Sequence, residues 1–307
     1  MKGLAVSVAD RDYEIIERSV SANGIVFETL ECGEGDRLAL CLHGFPSHAI
    51  CWRDQLPALA RLGYRAWAPN QRGYGNSSRP ARAADYAINA LLADIAGLID
   101  ASGARSVILI AHDWGGLLAW FFAARRIRPL DGLIILNAPH PACAALAYWT
   151  WRQMRKGWYI LAFQIPWIPE WLLGFNRAWL LGRLMGWVAG KPTVFSAETL
   201  DFYRERAARP GAITAMLNWY RGMVRGGVPA EMTGQFPTID TPTLVIWGDG
   251  DVALDFSTIE RAGDFVPNLT LHRLPGVSHW VQEEEPDEVN RLIGEFLQRV
   301  GIGVSPR

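Results

Sequence analysis

The chain has 307 residues, half of them hydrophobic, with 30 basic against 31 acidic side chains and a formal net charge of −1. That size suits one large α/β domain with an insertion, or two modest domains, and supplies ample material for a buried core. The even charge balance, with no basic stripe, argues against nucleic acid as a partner and favours a small, weakly polar ligand over a polyanion.

The N-terminal stretch MKGLAVSVADRDYEIIE meets charge too early to carry the apolar core of a signal peptide. No stretch approaches the ~18 uncharged apolar residues of a membrane span; the longest candidate, 157–169, holds two prolines. No stable membrane insertion is expected. The four cysteines, Cys32, Cys41, Cys51 and Cys143, show neither C-x-x-C spacing nor a zinc pattern. They read as reduced, buried thiols, which suits the cytoplasm.

From about residue 25 to residue 140, short apolar runs alternate with helical patterns. Runs 38–42, 64–68, 107–111 and 133–136 have the continuous apolar character of strands buried on both faces. Helical stretches 52–61 and 88–100 lie between them, the second after a polar loop at 82–87. This alternation predicts a mostly parallel central sheet with helices on both faces. It stops after Pro139. From 141 to about 229 there are only amphipathic segments, broken by Pro166, Pro169, Gly174, Gly186 and Pro192. Alternation resumes at 242–248 and 269–274, and a last helix over 286–300 carries Val289, Leu292, Ile293, Phe296 and Leu297 at helical spacing. The expected organisation is a core at 1–140 and 236–307, interrupted by an inserted helical cap at 141–235. Several of the 14 tryptophans fall between Trp149 and Trp187. They are expected to form a bulky cap core; the other reading has some of them lining an apolar pocket or facing a membrane surface.

Chemistry gathers beyond the carboxyl ends of strands in such a sheet. Ala111-His112-Asp113-Trp114-Gly115-Gly116 lies between a strand and a helix, with small residues two before and two after its apex, the pattern of a nucleophile elbow. Small neighbours are needed because the apex sits in a strained turn. Here the apex is Asp113, and a carboxylate in that position attacks an sp³ carbon to leave an ester that water must hydrolyse. Taken alone, Asp113 could equally be a helix N-cap. Two further sites decide between these. Trp247-Gly248-Asp249-Gly250-Asp251 follows the strand TLVI, and Gly276-Val277-Ser278-His279-Trp280 follows LTLHRL. The chain order nucleophile, acid, histidine is that of the α/β-hydrolase triad. Histidine supplies a general base near neutral pH, and the acid, Asp249 or Asp251, fixes its tautomer. After the strand LALCL, the turn His43-Gly44-Phe45-Pro46 offers the N–H of Phe45 to an oxyanion hole, with the N–H of Trp114 as second donor. His43 reads as structural.

These motifs resemble the epoxide hydrolases of the α/β-hydrolase fold over nearly the whole chain beyond residue 20. HGFPSHAICWRDQLPALARLGYRAWAPNQRGYGNS is similar to their segment from the oxyanion turn, AHDWGG to their elbow, and LPGVSHWVQEEEPDEVN to their histidine segment. The family usually places the acid at the last position of the 247–251 pattern, which implies Asp251. The core motifs are shared with haloalkane dehalogenases, and the cap separates the two groups. Epoxide hydrolases meet the epoxide oxygen with two cap tyrosines, because ring opening makes an alkoxide that leaves poorly without an O–H donor. Tyr220 in LNWYRGM matches one of them. Tyr159 matches the other by its spacing to Phe163, Gln164 and Pro166, with Tyr148 and Tyr203 as weaker alternatives. The resemblance further implies Phe45, Trp114, Trp219 and His140 against the substrate, a small-molecule epoxide and water as reactants, and no metal or organic cofactor. A homodimer is compatible with it. The chain departs from the family at Asn70, where aspartate is common; that position is expected to support a loop. The rival readings are a haloalkane or haloacid dehalogenase on the same triad and a non-catalytic ligand receptor. Against the first, Phe45 stands where haloalkane dehalogenases commonly carry an amide side chain, and Trp114 stands where fluoroacetate dehalogenases have arginine.

Overall fold

Eight strands form one sheet in the computed structural model, which describes residues 13–147, 150–191, 194–227, 229–233 and 235–302. The strands are β1 Ile16–Ala22, β2 Ile25–Cys32, β3 Arg37–Leu42, β4 Arg65–Pro69, β5 Ser106–His112, β6 Gly132–Leu136, β7 Thr243–Gly248 and β8 Leu269–Leu274. Their spatial order is β1-β2-β4-β3-β5-β6-β7-β8. The pairs β1/β2 and β2/β4 are antiparallel, and all others are parallel. The first two strands form a hairpin closed at Asn23-Gly24, where both residues take positive φ (49° and 72°), as a tight two-residue hairpin turn requires.

The alternation of side chains along β5 divides the core. Val107, Leu109 and Ala111 face α2 (Ile88–Ser102) and α3 (Trp114–Ala124). Ile108 and Ile110 face α1 (Gln55–Arg61) and α11 (Pro286–Arg299), whose Val289, Leu292, Ile293, Phe296 and Leu297 are all buried. Both faces of the sheet are therefore covered, which is why its strands read as unbroken apolar runs.

Between β6 and β7 the described residues contain helices and no strand: α4 Pro141–Ala147, α5 Trp151–Ala162, α6 Ile168–Val188, α7 Ala197–Ala207, α8 Ala212–Arg225 and α9 Ala230–Thr233. Helix α6 is interrupted at 175–178, where the backbone leaves helical geometry. A short helix, α10 Val281–Glu284, precedes α11. The expected bulky tryptophan core of this insertion is corrected by the structure. Of the described tryptophans in the insertion only Trp219 is buried, alongside residues such as Leu173, Leu181, Met185 and Met216, while Trp151, Trp158, Trp167, Trp171, Trp179 and Trp187 are all exposed. Trp149 lies outside the described residues. Among the described residues no helix is long and apolar enough to cross a membrane.

Candidate active site

Five adjacent strands each deliver one group to the same place beyond their carboxyl ends: Phe45 after β3, Asp113 after β5, Asn137 after β6, Asp251 after β7 and His279 after β8. Asp113 takes φ 51° and ψ −117°, a conformation that non-glycine residues rarely adopt. The turn is held by close packing: a Cβ on Gly115 would lie 2.5 Å from the Leu42 carbonyl oxygen. The strained apex lifts the carboxylate clear of the helix it precedes. Its side chain makes no capping hydrogen bond to α3, which removes the N-cap reading.

The two carboxylate oxygens of Asp113 have different surroundings. Oδ1 accepts the Phe45 N–H at 2.8 Å, and the nearby Trp114 N–H helps to lower the pKa of this carboxyl. Oδ2 lies 3.7 Å from His279 Nε2. Burial raises the Asp113 pKa above the ordinary carboxylate value, more than His279 and the two N–H donors lower it. His279 Nδ1 meets Asp251 Oδ2 at 2.8 Å. Burial opposes charge on this imidazole, but Asp251 and then Asp113 outweigh it, and the pKa rises. Asp251 moves the other way. Although buried, it is held low by His279, by the Asn137 amide (2.8 Å to Oδ2) and by the N–H of Leu254, at 2.9 Å from Oδ1. Asp249 instead points outward to Arg273 at 2.8 Å.

Two residues not singled out from the sequence complete this arrangement. Asn137 donates to Asp251 and accepts the Gly248 N–H at 2.8 Å, tying β6 to the acid loop. His112 is fully buried and kept neutral by burial; its Nε2 donates to the His279 carbonyl oxygen at 2.9 Å and so fixes the backbone of the histidine loop. His43 is structural: Gln71 N–H donates to its Nε2 at 3.1 Å, its Nδ1 faces the Gly44 carbonyl, and burial holds its pKa down to about 4. Asn70 holds a loop, accepting the Ala49 N–H at 2.9 Å and donating to Glu28 at 2.6 Å.

Above Asp113 lies a cavity of about 400 Å³. Its ionisable lining groups are Asp113, His279, Tyr159 from α5 and Tyr220 from α8; the rest of the wall is apolar, including Phe45, Phe163 and Leu181. The two tyrosine rings stand edge to face, 6.0 Å apart, and Phe45 packs on Tyr220 at 5.3 Å. Burial raises both hydroxyl pKa values, so both groups keep their protons at neutral pH. Lys156 anchors α5 by donating to the carbonyls of Asp251 and Leu254 at 2.7 and 2.8 Å, which sets Tyr159 against the acid loop.

Four expectations need correction. Trp219 does not line the cavity; its indole N–H donates to the Arg72 carbonyl at 3.1 Å, on a different face of α8 from Tyr220. The Trp114 ring sits behind Tyr220, 5.0 Å away and outside the cavity lining, where its side chain tempers the rise in the Tyr220 pKa and does not face the substrate space. His140 is fully buried away from the cavity between Phe236, Phe265 and Trp120, and burial holds its pKa down to about 3. Tyr203 is turned towards Glu283, 3.4 Å away, and is no donor here. Tyr148 lies outside the described residues.

A mostly parallel sheet with an elbow, an acid and a histidine on successive strand ends is the architecture of an α/β-hydrolase, and the model of that family, the alpha/beta hydrolase fold, matches residues 40–286. The chain is 37% identical over 282 residues to the AB hydrolase superfamily protein YfhM of Bacillus subtilis, covering 91% of this chain and 96% of that one. It is 34% identical to Epoxide hydrolase A of Mycobacterium tuberculosis, over 92% of this chain and 97% of the relative. The crystal structure of the Bacillus megaterium epoxide hydrolase with an inhibitor superposes with a TM-score of 0.82 at 27% identity, over 92% of this chain and all of that one. Within the α/β-hydrolases, the chain belongs to the epoxide hydrolases.

Proposed function

We propose that this enzyme converts apolar or aromatic epoxides to vicinal diols through a covalent ester on Asp113. The observation that carries the reading is the division of labour between the two Asp113 oxygens, one held by the Phe45 N–H and the other free beside His279, below two protonated tyrosines. In the first step Oδ2 attacks an epoxide carbon. The C–O bond breaks, and the leaving oxygen takes a proton from Tyr159 or Tyr220, giving a hydroxyalkyl ester. In the second, His279 Nε2 takes a proton from water, and the hydroxide adds to the Asp113 carboxyl carbon. The resulting oxyanion is Oδ1, the atom already facing the Phe45 N–H, with the Trp114 N–H as the second donor. Collapse breaks the Cγ–Oδ2 bond: Oδ2 leaves as a hydroxyl of the diol with the proton from His279, and the water oxygen takes its place on Asp113. Asp113 then gives up the proton left on the incoming oxygen and the tyrosinate regains one, through solvent, which restores the starting carboxylate and hydroxyl.

Asp251 holds the His279 proton on Nδ1, so that Nε2 faces the water as a base. The cavity wall, apolar apart from these groups, favours apolar or aromatic epoxides over charged ones. Four unpaired, buried cysteines fit a reducing compartment, and we place the reaction in the cytoplasm.

The decisive experiment is intact-mass spectrometry of a His279→Gln variant incubated separately with an aromatic epoxide and with a haloalkane. A mass gain equal to the whole epoxide, mapped to Asp113, is expected. A gain equal to the haloalkane less hydrogen halide, with no epoxide adduct, would move the enzyme to the dehalogenases.

A further inference from the structure

Helix α5 presents its apolar stripe to the outside. Trp151, Met154, Trp158 and Leu161 follow the three- and four-residue spacing of one helix face, yet they are 71, 46, 67 and 61% exposed. The residues buried on this helix are Gln153 and Gly157. The exposed surface continues through Trp167, at 82%, and along α6 as Ile168, Trp171, Phe175, Trp179 and Trp187. In contrast, all seven described tryptophans outside α5, α6 and the turn joining them are at most 5% exposed. Soluble monomers seldom expose an apolar patch of this extent.

The patch surrounds the entrance to the catalytic cavity. Trp158, Ile165, Ile168, Leu172, Leu184 and Trp187 are exposed and also line that cavity. Its charge is one-sided. Residues 150–191 contain six basic side chains and one acidic, Glu170, which is engaged by Arg221. Lys156 turns inward, and Arg177 and Lys191 pair with Glu205 and Glu285. Arg152, Arg155 and Arg183 remain on the exposed surface of α5 and α6. Two copies of the chain meeting through this face would bring cations against cations. An anionic lipid surface complements them, and indoles with arginines are the side chains suited to the headgroup layer.

We propose that this face of the cap docks on anionic lipid bilayers, with the cavity entrance turned to the acyl layer so that apolar substrate enters from lipid. Docking stands on the surface alone; the delivery of substrate rests on the epoxide hydrolase reading above. The helices lie along the interface and do not span it.

The test uses the full chain in co-sedimentation with phosphatidylcholine vesicles, with and without phosphatidylserine. The expected result is binding that strengthens with phosphatidylserine. A Trp151→Gln/Trp167→Gln/Trp171→Gln variant, none of whose changed residues lines the cavity, should partition at least ~10-fold less. It should keep its melting temperature and its turnover of a water-soluble epoxide. Arg152→Glu/Arg155→Glu/Arg183→Glu should lose the preference for anionic vesicles. Equal partitioning of wild type and the tryptophan variant overturns the proposal. So does absence of vesicle binding together with a dimer, seen by analytical ultracentrifugation, that the tryptophan variant dissociates. Vesicle binding without turnover of any epoxide would leave docking in place and reject substrate delivery.

Discussion

Replacing Gly44 by alanine tests the oxyanion arrangement directly. A Cβ at position 44 would lie 2.3 Å from Asp113 Oδ1, 2.4 Å from its Cβ and 2.7 Å from its Cγ. Non-bonded carbon and oxygen atoms settle at about 3.5 Å, so the carboxylate has to retreat by roughly 1 Å. The Phe45 N–H bond, now 2.8 Å, then stretches past the limit of a useful hydrogen bond. Negative charge leaves Oδ1 when Asp113 alkylates and returns to it when water attacks the ester. The lost donor therefore slows hydrolysis more than alkylation. One oxyanion donor is worth about 3 kcal/mol, so the hydrolytic step should slow by ~10²–10³-fold. Quenched-flow mixing with epoxide, read by intact mass, should show ester accumulating on Gly44→Ala, where wild type shows less. A variant with unchanged melting temperature and unchanged rates for both steps would refute the assignment of the Phe45 N–H.

The remaining predictions separate the two steps further. Tyr220→Phe and Tyr159→Phe should each slow alkylation by ~10²-fold or more while leaving hydrolysis of a preformed ester nearly unchanged. Equal alkylation by wild type and Tyr220→Phe would reject its role as acid. Asp251→Asn should slow ester hydrolysis by ~10³–10⁴-fold, because the amide no longer holds the His279 proton on Nδ1; a loss under ten-fold in single-turnover experiments would point to another acid. His279 must be neutral to take a proton, so hydrolysis should rise with pH through its pKa and be lost below it. In the free enzyme burial lowers that pKa, but Asp251 and Asp113 raise it above the ordinary imidazole value. The ester removes the Asp113 charge, so the acid limb for hydrolysis should lie below the pH at which His279 titrates in the free enzyme. Comparing pH-dependent single-turnover rates with an NMR titration checks the sign.

Motifs whose residue types are dictated by backbone geometry were legible in the sequence. The elbow needs small neighbours around Asp113, and unbroken apolar runs mark strands covered on both faces. Strand β1 is not legible, since IERSVSA has one buried position, Val20, and no apolar alternation to read; the Asn23-Gly24 turn is the available signal. Periodicity finds a stripe but not the direction it faces, so the sequence alone does not separate a tryptophan core from an exposed tryptophan face, and on α5 and α6 the face is exposed. Trp219 failed for a related reason. Adjacent helical residues diverge by about 100°, and with Tyr220 in the cavity Trp219 is carried round to Arg72. Asn137 acts on a residue 114 positions away, and His112 on one 167 away. No local pattern encodes such pairings.

The charge requirements of the reaction explain why an insertion is needed at all. In the proposed mechanism the sheet supplies what the second step requires: the Phe45 N–H aimed at Oδ1, and an imidazole held as a base by an ionised acid. Those groups cannot serve the first step. The strand-end donors are spent on Asp113 itself, and a second carboxylate, Asp251, lies behind the histidine, so the sheet surrounds the nucleophile with groups that give little help to an alkoxide forming on the far side of the attacked carbon. That charge develops opposite Asp113, where only residues from outside the sheet can reach. Helices entering between β6 and β7 place Tyr159 and Tyr220 there, in an apolar wall where burial raises their pKa values further above neutrality. The same low polarity raises the Asp113 pKa and makes its carboxylate the better nucleophile. In the proposed mechanism nucleophile and proton donors thus share one apolar enclosure, with the donors on the inserted helices and the attacking group on the sheet.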